Sequence, residues 1–211
     1  MKKCVIFCAG GFEGLVQPIE NTDFVIAADG GLRHAQALGL TPNLILGDFD
    51  SLGYVPQGAE VFPVEKDDTD AMLAIKKGLE KGCTEFFLYG GMDGSRVDHT
   101  VANFQALLFL KNHGARGFLL GISQIATVLQ NETLTFPADF RGNFSLFCLG
   151  ADAAGVTLRG LKYSLEKGSL TAGFPLGVSN SFTGESAAVT VEKGSLLAIW
   201  ERTNGLPNNG K

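Results

Sequence analysis

Short apolar runs recur through the first 120 positions, and each is closed by glycine or by acids. Five of them, Cys4–Ala9, Phe24–Ala28, Leu44–Leu46, Val61–Val64 and Phe86–Tyr89, have the length and the aliphatic or aromatic content of strands buried on both faces. Helical patterns lie between them. Leu32–Leu40 is short and is ended by Gly39 and Pro42. Thr69–Lys81 carries Met72, Leu73, Ala74, Ile75 and Leu79 at helical spacing, with Gly82 as the stop. His99–Asn112 sets Val101, Phe104, Leu107 and Leu108 on one face before Gly114, and Phe118–Gly121 follows as a sixth strand. Strands alternating with helices predict a three-layer α/β domain with a mostly parallel sheet over residues 1–122.

The period changes after Ile122. No helical stretch follows, only short alternating runs: Ala126–Leu129, Thr133–Phe136, Phe144–Leu149, Gly155–Leu158, Ser169–Ala172, Ala187–Val191 and Leu196–Trp200. Gly, Asn and Asp separate them. This is the pattern of an all-β sandwich or jelly roll over residues 123–203. Residues 204–211 are polar, rich in Gly, Pro and Asn, and are expected to form a disordered tail.

Composition narrows the class of function. The 211 residues carry a formal net charge of −5, and no Lys/Arg cluster offers a duplex a basic face, so nucleic acid is not an expected partner. No apolar run reaches membrane-spanning length. The opening Met1-Lys2-Lys3 and the run after it are too short for a signal peptide and lack a cleavage site. The four cysteines show neither CxxC nor zinc spacing, which fits buried thiols in a reducing cytoplasm.

The acids are informative because of where they stand. Four predicted strands run straight into them: Asp29-Gly30-Gly31, Gly47-Asp48-Phe49-Asp50-Ser51, Glu65–Asp70, and Gly90–His99 with Asp93 and Asp98. Ligands of open parallel sheets bind outside the carboxyl ends of the strands, so these carboxylates should converge on one crevice. Convergent carboxylates repel unless a cation binds them, and hard oxygen donors select Mg²⁺, Mn²⁺ or Ca²⁺. Asp48 and Asp50 face the same side if their segment is extended. Asp67 and Asp70 are further ligand candidates, while Asp68 or Thr69 can cap the next helix. Lys66 can meet a phosphate as a point charge and Arg96 as a fork. Asp98 reads as a helix cap, and His99 and Asn103 share a helix face. The glycine-rich approach around Gly91 lets backbone N–H groups reach an anion. His34 and His113 read as structural residues. No Walker A pattern and no GxGxxG after a strand occurs, which excludes a P-loop kinase and a standard dinucleotide-binding dehydrogenase. In the second half, Tyr163 and Trp200 are candidate stacking surfaces, though by their patterning alone they read first as core and turn residues.

Taken in order, Asp29-Gly30-Gly31, Gly47–Ser51, Lys66–Asp70, Gly90–His99 with Asn103, Leu161–Leu165 and Gly177–Phe182 resemble the thiamin pyrophosphokinase family over residues 5 to 200. The resemblance implies transfer of the β,γ-diphosphate of ATP to the thiamin hydroxyl, with AMP released. It implies Mg²⁺, with Asp48, Asp50, Asp70 and Asp98 at the magnesium–phosphate site and Asp67 assisting. Asp29, Gly30, Gly31, Lys66, Gly91, Arg96, His99 and Asn103 would bind ATP, and Arg96 would join Asp48, Asp50, Asp70 and Asp98 in catalysis. Asp98 or Asp70 would accept the hydroxyl proton. Tyr163, in place of a Trp, would stack on thiamin, and Ser179 and Asn180 would bind its pyrimidine end. It also implies a homodimer with thiamin held between the α/β domain of one subunit and the β domain of the other. Ser95 departs from the family's usual Gly.

Three other readings compete. A related diphosphokinase would act on another hydroxymethyl heterocycle, such as a pterin. A sugar-nucleotide transferase would rest on the D-x-D alone. A nucleotide-binding module without turnover would bind ATP and release no AMP.

Overall fold

A computed structural model describes residues 1–65 and 67–207. The chain divides into two compact units, Met1–Ile122 and Ser123–Lys211. Among the described residues no helix is long and apolar enough to cross a membrane.

In the first unit, β1 (Lys3–Phe7), β2 (Phe24–Ala28), β3 (Leu44–Gly47), β4 (Glu60–Val61), β5 (Glu85–Tyr89) and β6 (Arg116–Leu120) form a sheet in the order β6-β5-β1-β2-β3-β4. Every one of these pairings is parallel. All five residues of β5 are buried, as expected of a central strand covered on both faces. The helices are α1 (Leu32–Ala37), α2 (Asp70–Glu80) and α3 (Val97–Asn112). Helices α2 and α3 cover one face. Gly78 brings α2 against Cys4 and Phe86, and Gly117 lies against Leu107 and Leu110 of α3. Ala27 points to the other face and packs with Leu32 of α1, Phe49 and Leu52. Three layers result.

Two expected elements differ. Val61–Val64 supplies only the two-residue edge strand β4, because Pro63 has no N–H for a ladder and Val61 and Val64 are exposed. Helix α3 begins at Val97 and buries Asn103, Ala106, Leu107 and Leu110, whereas Val101 is 51% exposed. Its apolar residues surround the helix, so their spacing names no single face.

In the second unit all strand pairings are antiparallel. One sheet runs β12 (Asn180–Ser181), β9 (Asn143–Cys148), β14 (Ser195–Glu201), β7 (Gln124–Gln130). The other runs β11 (Leu165–Leu170), β10 (Ala153–Arg159), β13 (Ala187–Thr190), β8 (Thr133–Phe136). The core between them is aromatic. Phe136 of β8 meets Phe144 of β9 at 5.3 Å and Trp200 of β14 at 5.6 Å, both edge to face, and Phe140 and Phe182 complete the cluster. Trp200 is 1% exposed, so it is a core residue and not a stacking platform. Its Nε1 donates to the Gly205 carbonyl at 2.9 Å, and Asn204 bonds both backbone groups of Arg141. The first part of the expected tail is therefore anchored; residues 208–211 lie outside the described residues.

Trp200→Ala should destabilise the protein by about 3–5 kcal/mol, the usual cost of emptying a large aromatic site. Urea unfolding followed by circular dichroism checks this.

Candidate active site

The carboxyl ends of β2 and β3 bring three acids together. Asp29 follows β2 in a left-handed conformation with φ 48°, is 8% exposed, and keeps Oδ1 buried without a hydrogen-bond partner. Gly47 ends β3 at φ 147°, and a side chain there would press on the Asp29 backbone at 3.1 Å. Phe49 is also left-handed, with φ 61°, and its ring is buried against Ala27, Leu32 and Leu52. The D-x-D segment is thus a tight turn and not the extended stretch that would put both carboxylates on one side by alternation. The Asp50 N–H donates to Asp48 Oδ1 at 3.3 Å. Asp29, Asp48 and Asp50 each place a carboxylate oxygen within 4.8 Å of the other two.

That donor set fits a hard divalent cation. Oxygen ligands around an octahedral Mg²⁺ lie about 3–4 Å apart, and the buried Oδ1 of Asp29 supplies a donor that the protein itself does not satisfy. Asp29 was expected at the phosphates and not among the metal ligands. The signal was present, since Asp29 stands directly after a strand just as Asp48 does. Asp67, Asp70 and Asp98 are not members of this group.

Asp70 opens α2 and lines the cleft beside Asp29. The helix is capped by Thr69, whose Oγ1 accepts from the Met72 N–H at 3.2 Å. Asp68 is paired with Lys76 at 2.6 Å, and Asp67 is exposed. Lys66 lies outside the described residues.

The third group sits on the loop from β5 to α3. Gly90 has φ 70°, and a side chain there would collide with the Cys8 carbonyl. The Gly10 N–H donates to the Gly90 carbonyl at 2.9 Å, so the ends of β1 and β5 stay together. Asn103 is buried and its Nδ2 donates to the Gly91 carbonyl at 2.8 Å. Asp93, at φ 58°, accepts from the Ile122 N–H at 2.6 Å. Arg96, not Asp98, is the N-cap residue of α3, and Asp98 lies in the first turn. The two form a fork, with Nε–Oδ1 at 3.0 Å and Nη2–Oδ2 at 2.6 Å, and both are exposed. Hydrogen bonding from Arg96 lowers the Asp98 pKa from 3.8 to about 2. His34, read as structural, has Nε2 2.8 Å from the Gly10 carbonyl.

These ends enclose a cleft of about 370 Å³ within the first unit, lined by Asp29, Asp70, Gly91, Arg96, His99 and Asn103 among others. Gly30, Gly31, Asp48, Asp50, Asp67 and Asp98 are not in that lining. Ser51 and Thr100 also line it and were not singled out from sequence. The Asp29 and Asp70 carboxylates and the N-termini of α2 and α3 line one cleft, a polar arrangement suited to a metal-bound polyphosphate.

In the second unit Tyr163 is 58% exposed, with Lys162 Nζ 5.3 Å from its ring centroid. Ser179 is exposed and left-handed at φ 61°. Asn180 differs from expectation: it is 5% exposed and its amide bonds the backbone. Oδ1 accepts from the N–H groups of Tyr163 and Ser181, each at 2.9 Å, and Nδ2 donates to the Tyr163 carbonyl at 2.8 Å.

Two family models match this chain in order. Residues 15–119 match the thiamin pyrophosphokinase catalytic domain, and residues 131–196 match the thiamin pyrophosphokinase vitamin B1 binding domain. The chain belongs to the thiamin pyrophosphokinase family. A curated thiamine pyrophosphokinase of Bacillus subtilis (strain 168) is 27% identical over 217 residues, covering 93% of this chain and 98% of that one. Among solved structures of thiamin pyrophosphokinases, one from Bacillus subtilis superposes with a TM-score of 0.83 at 24% identity, covering 94% of this chain and 98% of that one. One from Candida albicans superposes with a TM-score of 0.75 at 15% identity, covering 95% and 88%. At these identities the structural likeness speaks for the fold.

Asp29→Asn tests the carboxylate group, because Asn tolerates the left-handed backbone and removes one charge. The metal-free variant should melt higher than the parent, by about 2–4 °C for each kcal/mol of repulsion relieved. The rise in melting temperature that Mg²⁺ or Mn²⁺ gives the parent should shrink in the variant. Differential scanning calorimetry with and without EDTA reads both.

Proposed function

We propose that this chain is an ATP-dependent thiamin diphosphokinase: the thiamin hydroxyl oxygen attacks the β-phosphorus of ATP, the bond from that phosphorus to the α–β bridging oxygen breaks, and AMP leaves. Family membership supports the reaction. The observation that carries it to named residues is the convergence of Asp29, Asp48 and Asp50 within 4.8 Å, with Asp29 lining the same cleft as the N-termini of α2 and α3.

Asp29, Asp48 and Asp50 would hold Mg²⁺, which when bound neutralises polyphosphate charge. Transfer of this kind passes through a loose transition state, so positioning and charge stabilisation matter more than a strong base. Arg96 and His99, at the start of α3, are set to contact phosphate oxygens, and Arg96 can exchange Asp98 for the ligand. The Gly90–Gly94 backbone, fixed by Asn103 and Asp93, presents N–H groups. Asp98, stabilised as the anion by Arg96, accepts a proton poorly. Asp70, lining the cleft, is the better acceptor of the hydroxyl proton.

Tyr163 and Ser179 would meet thiamin, the ring stacking on the heterocycle. The chain would act as a homodimer, with the thiamin-binding β unit of one subunit serving the α/β unit of the other. Four free thiols are in keeping with a cytoplasmic location.

Purified protein with thiamin, ATP and Mg²⁺ should yield equal AMP and thiamin diphosphate, abolished by EDTA; ADP with thiamin monophosphate would refute diphosphate transfer. Asp48→Asn should lower kcat by about 100-fold or more while leaving the circular dichroism spectrum unchanged. Assayed at thiamin well below KM, where Tyr163→Ala alone keeps only about a tenth of the parent's rate, subunits carrying Asp48→Asn and Tyr163→Ala, unfolded and reassembled together, should regain about one quarter of the parent's sites if each site draws on both subunits of a twofold dimer. No recovery would place each site within one subunit.

A further inference from the structure

The mode of action of Asn180 deepens the proposed thiamin site and rests on that reading. Tyr163 lies in the loop between β10 and β11, and its ring is 58% exposed, so packing does little to hold it. A stacking ring on a loop works only if its backbone is fixed, since ordering it at the moment of binding would cost affinity. The loop is fixed on one side. Leu161 bridges to Phe182, and the Lys162 N–H donates to the Ser181 carbonyl at 2.9 Å. At Tyr163 itself both backbone groups are taken by one buried side chain. Asn180 accepts from its N–H at 2.9 Å and donates to its carbonyl at 2.8 Å, a side-chain copy of a strand pairing. Asn180 in turn stands in β12, paired with Phe144 of β9, whose ring lies in the aromatic core.

We infer that Asn180 is a positioning residue, which presents the Tyr163 ring to the heterocycle of the substrate and does not bind that substrate itself. A carboxamide is the side chain that both accepts and donates at this spacing. Asp keeps the two N–H acceptances but cannot donate to the Tyr163 carbonyl when ionised. Ala keeps none of the three.

A double-mutant cycle separates a clamp from a ligand. Asn180→Ala and Tyr163→Ala should each raise the KM for thiamin about ten-fold, with the KM for ATP unchanged. The double variant should be no worse than about ten-fold, because Asn180 has no ring left to hold. Multiplication of the two effects to about 100-fold, or an unchanged KM in Asn180→Ala, would overturn the inference. If Asn180→Ala does not fold, Asn180→Asp replaces it, with a smaller rise that should vanish in the Tyr163→Ala background; persistence there would likewise overturn it. Hydrogen exchange gives a readout free of any substrate. The Tyr163 amide should exchange faster in Asn180→Asp or Asn180→Ala while β9 and β14 stay protected, and an unchanged Tyr163 amide would refute the clamp. A parent enzyme that makes no thiamin diphosphate would instead overturn the proposed function, leaving the exchange result to decide the clamp.

Discussion

Three carboxylates held within 4.8 Å of one another repel, and the first unit is built to keep them there. The restraint is steric. Asp29 and Phe49 are locked in left-handed backbone conformations, and the buried Phe49 ring anchors the turn that carries Asp48 and Asp50. Gly47 permits the ends of β2 and β3 to meet. Such conformations cost about 1–3 kcal/mol each and persist only where the surroundings over-determine them. Their concentration at the ends of β2 and β3 fits a site that is pre-formed for a cation and not assembled by it.

The remainder of the cleft answers that charge. Helices α2 and α3 bring their N-termini to the same crevice as Asp29, so opposite electrostatic features face one volume. Arg96 is held by Asp98 in a fork at the surface, a charge-assisted pair that orients the guanidinium before any anion arrives. Asn103 and Asp93 perform a quieter task, bonding backbone groups so that the glycine loop between β5 and α3 keeps one shape. The β unit follows the same rule with different chemistry, as Asn180 holds the backbone from which Tyr163 projects.

Much of this was legible along the chain because burial and period are local properties. Six strands and three helices of the first unit follow from apolar runs and their stops, and the loss of helical period after Ile122 marks the second unit. Fully buried β5 and the acids after β2 and β3 are read directly from sequence. The exceptions have physical causes. Pro63 cuts β4 short. The apolar residues of α3 are spread around the helix, so their spacing cannot show that Asn103 faces inward and Val101 outward. The left-handed turn at Phe49 is invisible to a rule that assumes an extended D-x-D. Asn180 and Asp93 make hydrogen bonds to backbone groups 17 and 29 positions away, a separation that no local pattern encodes.

The central claim is that Asp29 joins Asp48 and Asp50 in one cation site on which the polyphosphate is assembled. An anomalous-difference map from crystals grown with Mn²⁺ and a non-hydrolysable ATP analogue tests it most directly. The account predicts a peak ligated by carboxylate oxygens of all three residues and by phosphate oxygens of the analogue. A Mn²⁺ peak bound at Asp67 or Asp98 with Asp29 unligated would contradict it.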